Sequence, residues 1–109
     1  IAWLKTQEKT STTAMLYVSD HGESLGEKNM YLHGLPYSVA PPEQTTVPLI
    51  TWLSPGFEQL SRVSTRCLQA ERHKPLSHDN LFHSVLGLMA VKTAVYQREQ
   101  DLFATCEGR

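Results

Sequence analysis

The chain has 109 residues, of which 40% are hydrophobic and 19% charged, and its formal net charge is −1. This length fits a single domain, and the small charge argues against a nucleic-acid-binding surface or a polybasic membrane patch. No apolar run approaches the roughly 18–20 residues that span a bilayer. The chain begins with Ile1 and shows no signal peptide, so we expect a fragment of a longer protein.

Two apolar strands form the predicted framework. Residues from Ile1 to about Lys9 have the spacing of the end of a helix, and strands are predicted at Ala14–Val18 and Val47–Leu53. Both strands are almost continuously apolar, which is typical of strands buried on both faces of a mainly parallel sheet. The fold class is therefore predicted to be α/β. Because little before Ser77 supplies covering helices, we expect the chain to be poorly self-sufficient.

The segments around the second strand are less regular. Residues Gly22 to Gln44 are rich in glycine, proline and serine and predict a long functional loop without secondary structure. After a turn at Ser54-Pro55-Gly56, a short helix is predicted from Pro55 to about Val63. Residues Ser64 to Pro75 are polar, and we expect them to be exposed.

An amphipathic helix is predicted near the C-terminus, with Ser77 as its N-cap and Asp79 in its first turn. Gly87 weakens this helix, so we expect close packing at that position. In the tail that runs to Arg109, the segment Arg98 to Asp101 is interpreted as a solvated turn. Three apolar residues of the tail are expected to pack against the sheet: Tyr96, Leu102 and Phe103.

The first strand ends in an adjacent Asp20 and His21, followed by Gly22. Neighbouring strand side chains point to opposite faces, so these two meet only if the strand stops and the chain bends at the glycine. A carboxylate and an imidazole at a strand end form a plausible half of a zinc site. The alternative is that Asp20 caps the turn and His21 is an ordinary polar loop residue.

Two longer strings make the pattern more specific. They are Tyr31-Leu32-His33-Gly34 and Ala40-Pro41-Pro42-Glu43-Gln44. With the Asp-His-Gly-Glu string that begins at Asp20, they resemble the lipid A phosphoethanolamine transferases of Gram-negative bacteria, a family that includes transferable polymyxin-resistance enzymes. The resemblance implies the C-terminal portion of an alkaline-phosphatase-like (sulfatase-like) domain, with a mainly parallel sheet flanked by helices.

The resemblance also implies a function. Family members transfer phosphoethanolamine from phosphatidylethanolamine to lipid A with the help of zinc, at the periplasmic face of the bacterial inner membrane. Residues 1–109 would be the last part of the catalytic domain, and the N-terminal membrane domain and the half that bears the nucleophile would be absent. Such a fragment would be inactive alone.

The same resemblance implies roles for particular residues. Asp20 and His21 match a zinc-binding pair whose glutamate and threonine partners, the threonine being the nucleophile, come from earlier in the family's chain. His33 matches a histidine near the substrate phosphate or a second zinc, and a general-acid role suits it. Glu23 and Ser24 are candidates to support the metal ligands through hydrogen bonds. The alternatives are a surface-loop histidine and local turn capping.

Cys67 and Cys106 are the two cysteines of the chain. If the protein is periplasmic, as the resemblance implies, they could form a disulfide. Closing a loop of about 40 residues would stabilise the fold by roughly 4 kcal/mol in the chain-entropy model. Two free thiols are the alternative.

Two other functions remain open. A sulfatase or phosphodiesterase of the same superfamily would carry a similar Asp-His-Gly string. A non-catalytic module that only binds a metal is the other possibility.

Overall fold

The computed structural model describes residues 1–108, and the chain forms two compact units. The loop unit is Met15–Thr51. The helical unit comprises Ile1–Ala14 and the chain from Trp52 onward. Arg109, the end of the predicted tail, lies outside the described residues.

Helices and strands are mixed along the described residues, as an α/β protein requires. They are α1 (Ala2–Gln7), β1 (Ala14–Val18), β2 (Ser24–Leu25), β3 (Tyr31–Leu32), α2 (Pro42–Thr45), β4 (Leu49–Leu53), α3 (Pro55–Ser61), α4 (Thr65–Ala70) and α5 (Asp79–Leu88). Short 3₁₀ helices lie at Glu27–Asn29, Arg98–Gln100 and Ala104–Cys106. Strand β1 pairs with β4, and β2 pairs with β3.

The two predicted strands are confirmed, but their expected burial is wrong. Strand β1 has the predicted bounds, and β4 starts at Leu49 because Pro48 has no N–H group to donate to a neighbouring strand. Tyr17 in β1 and Ile50 in β4 are exposed.

The segment between these strands was wrongly expected to be irregular. Strands β2 and β3 form an antiparallel hairpin in which Ser24 pairs with Leu32 and Leu25 pairs with Tyr31. The connecting turn uses the left-handed backbone of Gly26, with φ 124°. Two-residue strands are too short to show an alternating pattern, so the sequence did not reveal them.

Capping hydroxyls fix the starts of α3 and α4. The Ser54 Oγ accepts from the Phe57 amide at 3.1 Å, and the Ser64 Oγ accepts from the Cys67 amide at 3.2 Å. Ser54-Pro55-Gly56 is therefore a helix start rather than a turn. The segment from Ser64 to Pro75 contains no buried residue, as expected, and part of it, Thr65–Ala70, is helical.

Helix α5 is present, with a small change at its start. The helix begins at Asp79 with His78 in the N-cap position, while the Ser77 Oγ still accepts from the Asp79 amide at 3.2 Å. The close packing expected at Gly87 is confirmed, since a Cβ there would collide with the carboxylate of Asp101.

Asp101 is buried, which corrects the expectation of a solvated turn. Its carboxylate accepts from the Tyr96 hydroxyl at 2.7 Å and from the Phe103 amide at 2.8 Å. Burial of the Tyr96 hydroxyl, reinforced by its hydrogen bond to Asp101, raises the pKa of Tyr96 to about 12. Phe103 is buried as expected.

A disulfide links α4 to the C-terminal segment of the helical unit. Cys67 and Cys106 are bonded, so the bridged alternative is confirmed over two free thiols. Around it, the Ser64 amide donates to the Cys106 carbonyl at 3.0 Å, and Val63 pairs with Glu107 as an isolated antiparallel bridge. Val63 and Cys106 are buried.

Candidate functional site

The candidate site begins where β1 ends. The Ser19 Oγ donates to the His21 carbonyl at 2.7 Å, and the His21 amide donates to the Asp20 Oδ1 at 3.0 Å. These local bonds turn the chain immediately after the strand. The Asp20 side chain is 88% exposed, so its carboxylate remains open to solvent.

The imidazole of His21 has a defined orientation. Its Nδ1 lies 2.8 Å from the carbonyl oxygen of Gly22 and therefore carries the proton that it donates. Its Nε2 lies 3.8 Å from the Asp20 Oδ2. A carbonyl that holds one ring nitrogen leaves the other available as a ligand, which is the arrangement of metal-binding histidines.

His33 lies directly against His21. The two rings are stacked, with centroids 3.7 Å apart and an interplanar angle of 22°. The hairpin explains this position. Because Ser24 pairs with Leu32, the residues just outside that pair, Glu23 and His33, face each other. The His33 Nδ1 donates to the Glu23 Oε2 at 3.0 Å.

Three residues of the loop unit therefore converge. His21, Glu23 and His33 each offer a ligand atom within 4.8 Å of the other two. Their side chains are 42%, 40% and 48% exposed, so the cluster is open to solvent. Imidazole nitrogens and carboxylate oxygens are ligands that suit Zn²⁺, and the donor set fits that ion. The expected metal ligands were Asp20 and His21, with His33 near the substrate phosphate or a second zinc and Glu23 in a supporting position.

The supporting residues differ from the expected ones. Glu23 contacts His33 instead of His21, and Ser24 is buried with its Oγ accepting from the Gln44 Nε2 at 2.9 Å. No role was predicted for Gln44, although it ends the Ala40-Pro41-Pro42-Glu43-Gln44 string. Gly22 also acts differently from its predicted use as a flexible bend. A Cβ there would collide with the Glu43 carbonyl oxygen, so the glycine permits a close approach to α2.

Comparison with known proteins places this geometry in a family. The sequence model of the sulfatase family matches residues 1–91. The chain belongs to the sulfatase family. The phosphoethanolamine transferase EptA of Salmonella typhimurium (strain LT2) is 49% identical over 105 residues, covering 94% of this chain and 19% of the relative. The chain thus spans about a fifth of the length of that curated relative.

Solved structures agree with this assignment. The soluble domain of lipooligosaccharide phosphoethanolamine transferase A from Neisseria meningitidis superposes with a TM-score of 0.84 at 40% identity, covering 94% of this chain and 33% of that chain. The integral membrane protein lipooligosaccharide phosphoethanolamine transferase A (EptA) from the same organism gives 0.84 at 39% identity, covering 96% and 21%. The resemblance to phosphoethanolamine transferases and the sulfatase-like α/β fold are confirmed.

Within residues 1–108, no helix combines the length and the apolar character that crossing a bilayer would require.

Proposed function

We propose that this chain is the C-terminal part of the periplasmic catalytic domain of a phosphoethanolamine transferase. The observation that carries the proposal is the cluster of His21, Glu23 and His33 at the end of β1, in a chain 49% identical to a phosphoethanolamine transferase over 105 residues. The N-terminal membrane domain and the nucleophile would lie outside residues 1–109. The protein would reside in the bacterial inner membrane, and the Cys67–Cys106 disulfide suits the oxidising periplasm.

The proposed reaction moves phosphoethanolamine from phosphatidylethanolamine to lipid A. The name of the Neisseria relative, a lipooligosaccharide phosphoethanolamine transferase, supports an acceptor of the lipid A type. Each transfer would attach an ammonium group to an anionic glycolipid. The weaker negative potential would attract cationic polymyxins less strongly, which is the proposed route to resistance.

Zn²⁺ is the proposed cofactor, and Asp20 and His21 are its proposed ligands in this chain. The Gly22 carbonyl and the Asp20 Oδ2 together hold the His21 ring with its Nε2 directed towards the carboxylate. When bound, the ion would lower the pKa of a coordinated hydroxyl and neutralise charge on the phosphoryl group.

His33 is proposed to handle the proton or the phosphate oxygens. The His33 Nδ1–H donates to the Glu23 Oε2 at 3.0 Å, which fixes the orientation of the ring. The Nε2 is then the nitrogen that is free to act on the substrate. From there the imidazole can give a proton to the leaving group or donate a hydrogen bond to a phosphate oxygen. The half-exposed cluster leaves room for a lipid headgroup to approach.

The test uses the full-length protein that carries this sequence, purified in detergent. Transfer of labelled phosphoethanolamine to lipid A and bound zinc are measured for Asp20→Ala, His21→Ala and His33→Ala. The first two should abolish transfer and lose zinc, and the third should slow transfer by about 100-fold while zinc is retained. His73→Ala is the matched control, because His73 is exposed and its ring accepts a hydrogen bond from Arg72 at 3.1 Å.

Two outcomes would replace the proposal. Turnover of an aryl sulfate or a simple phosphodiester, without transfer to lipid A, would favour the sulfatase or phosphodiesterase that the family match also allows. Zinc binding without any turnover would favour a metal-binding module. Normal transfer and zinc content in Asp20→Ala and His21→Ala would refute the ligand assignment.

A further inference from the structure

Gln44 is a buried polar residue at the base of the candidate site. It is 5% exposed. Its Nε2 donates to the Ser24 Oγ at 2.9 Å, and its Oε1 accepts from the Leu35 amide at 3.4 Å. Its own carbonyl accepts from the Gly22 amide at 3.0 Å. One residue of α2 therefore bonds to two other segments of the loop unit, Gly22–Ser24 and Leu35.

Each of these partners adjoins a residue of the cluster. Gly22 follows His21, Ser24 follows Glu23, and Leu35 lies two residues after His33. The contact at Gly22 is especially close, because a Cβ there would strike the Glu43 carbonyl oxygen beside Gln44. The backbone positions of the three cluster residues therefore depend on where Gln44 lies.

The other side-chain contacts of the cluster are local or exposed. Three hydrogen bonds of Asp20 and His21 join residues within two positions in sequence: Ser19 to the His21 carbonyl, the His21 amide to Asp20, and the His21 ring to the Gly22 carbonyl. The Glu23 to His33 contact and the ring stack lie between half-exposed side chains, where water competes for the same groups. Buried hydrogen bonds resist such competition, and Gln44 supplies one between side chains, to the buried Ser24.

Helix α2 gives Gln44 a firm base. Pro41 is buried in an extended conformation and Pro42 occupies the first helical turn, which limits the backbone freedom of this segment. The Gln44 amide donates to the Pro41 carbonyl at 3.0 Å, and the Thr46 amide donates to the Pro42 carbonyl at 2.8 Å. The side chain therefore starts from a fixed backbone.

We propose that Gln44 is a positioning residue for the proposed transfer reaction, and the inference rests on that proposed function. Through Gly22, Ser24 and Leu35 it holds the turn after β1, strand β2 and the segment that follows β3 in the arrangement that brings His21, Glu23 and His33 together. It touches neither substrate nor metal. Its loss frees the turn that carries the proposed zinc ligands Asp20 and His21 and lets it move relative to Glu23 and His33, while the rest of the chain stays folded.

The experiment compares Gln44→Leu and Ser24→Ala in the full-length protein. Gln44→Leu keeps the buried volume but removes both side-chain hydrogen bonds. We expect its kcat for transfer and its affinity for Zn²⁺ to fall by about 10- to 100-fold, and the visible spectrum of the Co²⁺-substituted protein to change. Ser24→Ala should give a smaller loss, and the double variant should be no worse than Gln44→Leu, because both act through one bond. If Gln44→Leu fails to fold, Ser24→Ala still gives the metal-affinity result.

Ser84→Ala is the matched control for a purely structural effect. Ser84 is also fully buried, and its Oγ donates to the Asn80 carbonyl at 2.6 Å and accepts from the Leu102 amide at 2.9 Å, within the helical unit. This variant should lower the Tm without changing kcat or zinc affinity. If Gln44→Leu behaves in the same way, the positioning role is refuted.

A crystal structure separates this inference from the proposed function. If the wild-type protein neither transfers phosphoethanolamine nor binds zinc, the proposed function fails. The structure of Gln44→Leu would still report the ring positions, and we expect the 3.7 Å separation of the His21 and His33 centroids to increase. Rings that stay stacked as in the wild type would overturn the positioning role.

Discussion

The two units of this chain are stabilised in different ways. The helical unit is closed by the Cys67–Cys106 disulfide, and its buried Asp101 carboxylate accepts two hydrogen bonds. The loop unit contains no cysteine. Besides parts of β1 and β4, it has two-residue strands, a 3₁₀ helix and a four-residue helix. Its titratable groups point outward: His21, Glu23 and His33 are all at least 40% exposed.

Left-handed backbone at residues other than glycine occurs in both units. In the loop unit Lys28, Asn29 and Leu32 have positive φ angles of 55°, 58° and 65°, and in the helical unit Arg62 and Ala90 have φ angles of 61° and 52°. Leu32 directly precedes His33, so the strained position lies beside the cluster. A left-handed residue other than glycine costs roughly 1–2 kcal/mol, and such strain collects at functional sites. Stability is thus concentrated in one unit and the candidate chemistry in the other.

Removal of the disulfide should give the largest change in stability, and it tests whether stability and activity belong to different units. Replacing both Cys67 and Cys106 by serine should lower the free energy of unfolding by about 4 kcal/mol, because the unfolded chain gains the entropy of an open loop. The Tm under non-reducing conditions measures this effect. Zinc affinity and transfer at about 25 °C, the reference temperature of that loop-entropy figure, should be unchanged, since neither cysteine belongs to the loop unit. An unchanged Tm, or a parallel loss of zinc, would contradict the division.

A glycine in the helical unit gives the next largest effect. Gly87→Ala would force a methyl group into the Asp101 carboxylate and should destabilise the fold by about 1–3 kcal/mol through overpacking. We expect a lower Tm with normal zinc content and normal kcat. Ala90, which is exposed just beyond α5, offers a control in Ala90→Ser, which should leave the Tm within a degree or two.

Gly22 in the loop unit should give the opposite result to Gly87: its substitution should reduce transfer strongly and change the Tm little. Gly22→Ala introduces the same methyl group against the Glu43 carbonyl, one residue after His21. The backbone must move, so we expect transfer to fall by at least about 100-fold, the loss typical of a misplacement of about 1 Å. The change in Tm should be smaller than for Gly87→Ala.

The control for Gly22→Ala must leave the contacts of the loop unit intact. Gly34 has open space around it, with no atom within 4 Å of the place that a Cβ would take, but its φ of 95° disfavours alanine. Lys28→Gly serves instead, since it changes an exposed left-handed residue without adding a contact. A transfer rate near normal in Gly22→Ala would mean that the cluster does not depend on the close approach to Glu43.

The sequence predicted the long elements and the location of the candidate site. The apolar run of β1 and the periodic face of α5 are long enough to show their patterns. The bend after Val18 followed from the adjacent Asp20 and His21. The resemblance implied that His33 lies near the substrate phosphate or a second zinc, and the structure brings its ring against that of His21. The catalytic and zinc-binding roles of these residues stay predictions.

Several contacts could not be predicted from the sequence. The hairpin register that brings Glu23 to His33 depends on strands of two residues, which carry no periodic signal. Asp101 lies in a charged stretch typical of an exposed turn. Its burial follows from its close approach to Gly87 and its hydrogen bond from the Tyr96 hydroxyl, which are contacts that the sequence does not show. Gln44 is joined to Gly22, Ser24 and Leu35 by long-range hydrogen bonds, and sequence spacing does not encode such partners. The missing information is tertiary in each case.

The smallest expected effect is a loss of stability at high pH that belongs to the helical unit. Burial and the neighbouring Asp101 raise the pKa of Tyr96 to about 12, above its unfolded value of about 10. The folded state therefore holds the phenolic proton more tightly than the unfolded state does. This contribution to stability is fully present below about pH 10 and is lost as the pH rises from about 10 to 12.

Tyr96→Phe should remove that part of the pH dependence. The variant loses the hydrogen bond to Asp101 and starts with a lower Tm, but its Tm should fall less steeply than that of the wild type between about pH 10 and 12. The difference in tyrosinate absorbance between the two proteins should show a transition with a pKa of about 12. Tyr37→Phe is the control from the loop unit, where the side chain is 91% exposed, and it should keep the wild-type slope. If the Tm of the wild type and of Tyr96→Phe falls equally steeply with pH, the contact with Asp101 does not couple ionisation of the tyrosine to folding. The contrast between a buried titratable group in the helical unit and exposed titratable groups in the loop unit would then be weaker.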